Sequence, residues 1–114
     1  MLNLENHEYF VKYVDPKSGV TSYILRKKIA PIQQHLYFSQ PSVTSDGKHL
    51  FIRCSFPHPN EDRSFYHYDP HPQFVLDDKY IVSTTTVING EIDVAITPVE
   101  PLIEKCRESG KIPE

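Results

Sequence analysis

Tryptophan is absent from this 114-residue chain, methionine occurs once and glycine only four times. The two cysteines, Cys54 and Cys106, are too few for a disulfide scaffold and lack the CxxC spacing of a zinc ribbon or redox motif. No apolar run approaches the ~18 residues of a membrane span. The opening MLNLENHEYF has no basic n-region, so no signal peptide is expected. Twelve Lys plus Arg stand against fifteen Asp plus Glu, a net charge of −3. That leaves no broad basic stripe for nucleic acid. No Ser-His-Asp set, phosphate loop or paired-carboxylate signature is present. The expectation is a cytoplasmic, soluble protein without nucleic-acid or membrane partners.

Present in quantity are proline, at ten residues, and tyrosine, at seven. Hydrophobic residues make up 39% and aromatics 11%, which argues against disorder along the whole chain. The length suits one domain with a modest core. Charge is uneven: residues 1–57 hold seven basic and four acidic side chains, and residues 58–114 hold five and eleven. The basic run Arg26-Lys27-Lys28 reads either as a solvated loop or as an attraction for an anionic ligand.

Short β-prone segments separated by turn signals dominate. Residues 9–14 and 20–25 form a predicted hairpin around Asp15-Pro16-Lys17-Ser18-Gly19. Residues 26–34 read as irregular, and Leu36-Tyr37-Phe38 as a short strand. The run 49–55 reads as a strand buried on both faces, because its apolar core is nearly continuous. Cys54 within it is expected as a buried small hydrophobe. Residues 57–72 contain four prolines and three histidines, which predicts loop, since each proline removes a ladder donor. Residues 73–75, 79–86 and 92–97 read as strands, the last two joined through Asn89-Gly90. A helix is predicted from about Pro101, with Leu102, Ile103 and Cys106 on one stripe and Gly110 as its stop.

The chain also repeats itself. Residues 41–51 overlay residues 72–82 at a constant shift of 31, with Pro, Asp and Lys coinciding and apolar positions matching apolar ones. Each copy reads as a short strand, a tight Asp-containing turn and a longer hydrophobic strand. That unit is half of a four-stranded propeller blade. Two unrelated hairpins with shared turn chemistry are the plainer alternative.

The Asp46-Gly47-Lys48 turn is similar to those of TolB-like propeller repeats. Residues 13–21, with Asp15-Pro16-Lys17-Ser18-Gly19, resemble the opening of the oligogalacturonate lyase family. So do His35-Leu36-Tyr37-Phe38-Ser39-Gln40-Pro41 and residues 44–51 after them. Residues 69–81, from Asp69-Pro70-His71-Pro72 onward, resemble that family's last blade. The resemblance implies an all-β fold: a truncated β-propeller of about two blades of antiparallel strands, with a short C-terminal helix. It divides the chain into a hairpin and first-blade-like segment (1–56), a junction loop (57–72) and a last-blade-like segment with the helix (73–114).

The family implies β-elimination on short pectin-derived oligogalacturonides, with Mn²⁺ polarising the uronate carboxylate. Its metal ligands are implied to be histidines and a Gln, two of the histidines in a His-Pro-His motif. Here the second falls on His71, the first is replaced by Asp69, and the Gln position holds Tyr66. The remaining ligand and the catalytic Arg belong to blades that the chain lacks. Catalytic residues are therefore unassigned, and any lyase activity is expected to be incomplete.

Asp69, His71 and the nearby His67 are the candidate metal ligands, since carboxylate and imidazole suit Mn²⁺. His58 is a candidate to supplement them. His71 reads alternatively as a loop cap. Gln34, His35, Tyr37 and Tyr66 are the candidate contacts to an acidic oligosaccharide, with Gln33 beside them. Two blades cannot close a ring, so the alternative is a non-catalytic module that binds carbohydrate or assembles with copies of itself.

Overall fold

The computed structural model describes residues 3–36, 41–56 and 71–108, and the statements below concern these. Strands β1 (Phe10–Val14) and β2 (Thr21–Leu25) pair antiparallel, with Val14 opposite Thr21. The turn between them forms for a local reason. Asp15 Oδ2 accepts the Ser18 backbone N–H and hydroxyl, each at 2.8 Å, and the Lys17 N–H at 3.2 Å. These donors, Ser18 first, hold the Asp15 carboxyl below its usual range. Gly19 then takes a φ of +74°, which costs a residue without Cβ little.

After β3 (Ile32–His35) and β4 (Ile52–Ser55) come β5 (Gln73–Val75), β6 (Tyr80–Thr85), β7 (Asp93–Pro98) and helix α1 (Val99–Glu108). The larger sheet has five strands in the order β1-β2-β7-β6-β5, and β3 and β4 form a separate two-stranded sheet. All pairings are antiparallel. The sequence-distant hairpin β1–β2 thus joins the C-terminal strands directly: Tyr23 lies opposite Ile96, and Ile24 opposite Ala95. At the tip of the β6–β7 connection, Asn89 and Gly90 both adopt positive φ, +53° and +70°. The Glu91 N–H closes the turn on the Ile88 carbonyl at 3.0 Å, the type I′ geometry that Asn-Gly favours.

Period-2 alternation puts one set of side chains on the core face. Tyr23 and Leu25 of β2, Val94 and Ile96 of β7, Tyr80 and Val82 of β6 and Val75 of β5 gather there with Leu4 and Val43. A fully buried Val or Ile contributes about 1.5–3 kcal/mol relative to exposure, so these few strands carry most of the apolar stabilisation.

Several expectations are corrected. The stretch 26–34, expected as irregular, runs into a strand, Ile32–His35, and of the strand expected at 36–38 only Leu36 is described, outside β3. Tyr37 and Phe38 are outside the described residues. The strand expected over 49–55 is shorter, Ile52–Ser55, preceded by an isolated bridge between Val43 and Leu50. It is not buried on both faces: Phe51 is 53% exposed, Arg53 is exposed and Cys54 only half-buried. Helix α1 begins two residues before Pro101, where the Val99 N–H bonds the Lys79 carbonyl at 2.9 Å. Of its expected stripe, Leu102 and Cys106 are half-buried one turn apart, and Ile103 is exposed. Gly110 is outside the described residues. No helix among the described residues is long and apolar enough to cross a membrane.

Candidate functional site

Strand β3 is polar yet wholly buried: Ile32, Gln33, Gln34 and His35 are all inaccessible or nearly so. Such a strand persists only if each amide and ring is hydrogen-bonded. Gln33 saturates its amide. Its Oε1 accepts the N–H groups of Ile29 (2.9 Å) and Ala30 (3.4 Å), and its Nε2 donates to the Lys27 carbonyl (3.2 Å) and Asp93 Oδ1 (3.0 Å). Gln34 Oε1 accepts from the Arg53 guanidinium at 2.8 Å. His35 bridges Thr84 Oγ1 through Nδ1 (2.7 Å) and the His71 carbonyl through Nε2 (2.5 Å). Among the described residues no buried side-chain nitrogen or oxygen lacks a partner.

Of the residues singled out for carbohydrate, Gln34 and His35 are therefore held by protein groups inside the fold. Of those singled out for a metal, His71 is half-buried, with φ +31°, and clamps His35 through its carbonyl. Structure brings His35 and His71 together across the two-stranded and five-stranded sheets. Tyr37, His58, Tyr66, His67 and Asp69 lie outside the described residues. Among the described residues no group of three or more His, Cys, Asp or Glu converges as a ligand set.

Within the run Arg26-Lys27-Lys28, Arg26 and Lys28 are committed to carboxylates of the fold, while Lys27 is exposed. Lys28 Nζ reaches Asp93 Oδ2 at 2.8 Å and Glu91 at 3.3 Å, and Arg26 reaches Glu91 at 3.2 Å. Lys28 and Arg26 together hold the Glu91 carboxyl below its ordinary range. Asp93 is 1% exposed, so these cations, together with the Gln33 amide and the Val94 N–H on Oδ1, compensate a buried carboxylate. Asp93 is a residue the sequence reading missed; its signal is a lone acid inside the apolar run Ile92-Asp93-Val94-Ala95-Ile96, which demands a partner.

A cleft of about 610 Å³ separates the two repeated hairpins, with Thr44, Asp46 and Phe51 on one wall and Phe74, Asp77 and Lys79 on the other. The hairpins keep one register. The Val43–Leu50 bridge becomes the Phe74–Ile81 pair at the shift of 31. The left-handed residue Gly47 (φ +74°) likewise maps onto Asp78 (φ +63°). Equivalent positions also touch: Gln73 Oε1 accepts the Ser42 N–H at 2.8 Å, and Gln73 Nε2 donates to the Leu36 carbonyl at 3.2 Å. Compared with protein-family models, with curated proteins and with solved structures, the chain matches none.

Proposed function

We propose that this chain is a non-catalytic assembly module, built from two blade-like units of the oligogalacturonate lyase type, whose copies combine to complete a propeller. The supporting observation is that, among the described residues, three of the four edge strands, β1, β4 and β5, bear or adjoin exposed large apolar side chains. Val11 and Val14 lie on β1, Phe51 and Phe56 flank β4, and Phe74 lies on β5. Open edges with apolar side chains recruit further strands unless something covers them. Head-to-tail addition of such units closes a ring when the rotation between them permits.

The lyase reading, with acidic oligosaccharide as substrate and Mn²⁺ as cofactor, rests on His71, Asp69 and His67. The donor set suits a hard divalent ion, but His71 is the single described member. Sedimentation velocity over a range of concentrations tests the proposal. A discrete oligomer is expected, reduced to monomer by Phe74→Lys. A wild-type monomer at all concentrations overturns it. Ultraviolet absorbance of unsaturated product, on incubation with oligogalacturonate and Mn²⁺, is expected to stay flat. Its rise would instead establish the lyase reading.

A further inference from the structure

A second cleft, of about 690 Å³, opens between the N-terminal turn and the 43–50 hairpin. Its floor is apolar: Leu4, Leu25, Val43 and Ile96 belong to the buried core, with Phe10 and Leu50 packed beside them. Its rim carries Lys27, Lys48, His7 and His49, and among the described residues no carboxylate lines it. The neighbouring acids are occupied elsewhere. Asp46 lines the other cleft and accepts from Thr44 Oγ1 (2.6 Å) and the Lys48 N–H (3.0 Å). Glu5 accepts from Tyr23 and Lys12.

Two rim groups are set as donors. His7 Nδ1 accepts the Tyr9 N–H at 3.1 Å, so the neutral ring carries its proton on Nε2. The Lys27 ammonium sits 5.3 Å from the Tyr9 ring centroid, a cation–π contact that positions it at the rim. An apolar floor beneath a cationic rim complements one kind of small molecule. A sugar ring would leave its hydroxyls unpaired against Leu4, Leu25 and Ile96, at a desolvation cost. A hydrocarbon tail meets no such penalty.

We propose that this cleft binds an amphipathic carboxylate of the medium-chain fatty acid class. Its tail lies on the Leu4–Leu25–Ile96 floor and its carboxylate meets Lys27, Lys48, His7 and His49. The volume falls within the range of about 300–1,000 Å³ usual for small-molecule sites. The cleft shares Phe51 with the β4 edge invoked for assembly, so ligand binding is read where the oligomeric state does not change, which keeps the two proposals distinguishable.

The test is calorimetric titration of the full chain with octanoate, decanoate and dodecanoate below their micellar concentrations, at a protein concentration where the mass is constant. Each added methylene is expected to tighten binding by up to about fourfold until the cleft is filled. The double substitution Lys27→Gln and Lys48→Gln is expected to weaken decanoate about tenfold, leaving decanol binding and the melting temperature unchanged. Four outcomes overturn the proposal. They are no heat with any carboxylate, equal affinity for decanol and decanoate, tighter binding of oligogalacturonate than of decanoate, and a lysine double variant that alters the mass of the protein but not decanoate binding. The last would make the occupant a second copy of the chain.

Discussion

Tyr23 joins the N-terminal turn to the sheet by one short hydrogen bond. Its hydroxyl donates to Glu5 Oε2 at 2.5 Å, and Glu5 in turn pairs with Lys12. That bond, ahead of burial, pushes the Tyr23 phenol up from 10.0 to about 12, and the same bond holds the Glu5 carboxyl low. Because the folded value exceeds the unfolded one, the stabilisation is complete below about pH 10 and is lost as pH climbs to about 12. Urea unfolding across that window is expected to show stability falling in the wild type and a shallower fall in Tyr23→Phe. Equal slopes would remove Tyr23 as the cause. The carboxylate of Asp93 illustrates what a single position reveals. A buried acid in an apolar strand announces that it has a cation, but Lys28 sits 65 residues away, and local pattern cannot name it.

Turns and strands differ in how much neighbouring residues determine them. Asp15, Gly19, Asn89 and Gly90 act within a few bonds of their own backbone, so the two hairpins they close were readable. The second repeat departs from ease: Leu76, Asp77 and Asp78 all take positive φ, between +53° and +63°, which L-residues adopt at a cost. Gly47 holds the equivalent position in the first repeat. Gly47→Ala is expected to destabilise by about 1 kcal/mol, and Asp78→Gly to stabilise by about 0.5 kcal/mol, both read from denaturant midpoints. A loss on Asp78→Gly would mean that the Asp78 side chain contributes more than its backbone strain costs. Strand β3 was not legible. Gln33, Gln34 and His35 resemble surface loop because amides and imidazole are usually solvated. Their burial depends on acceptors and donors in β6, β7 and the 26–30 segment.

Across the molecule, the two hairpins of the repeat are tied at equivalent positions by Gln73 and Ser42. Gln73 is 7% exposed and satisfies the Ser42 N–H and the Leu36 carbonyl at once. Gln73→Ala strands both groups and is expected to cost about 2–3 kcal/mol in urea unfolding. A loss below about 0.5 kcal/mol, the range of an ordinary surface change, would show that the link is incidental. The union of β2 with β7 has equal weight. Pairing Tyr23 with Ile96 closes a long loop, whose entropic cost grows only slowly with length. The reward is a continuous apolar face.

Residue order alone settled the β-rich class, the hairpins around Asp15–Gly19 and Asn89–Gly90 and the internal repeat, because period and turn chemistry act over a few neighbouring residues. Three-dimensional packing settled that the first hairpin pairs with the last strand, that a Gln-Gln-His strand lies inside, and that Lys28 serves Asp93. Each of these joins groups far apart along the chain, and which distant donor meets which buried acceptor is decided only when the sheets close on one another.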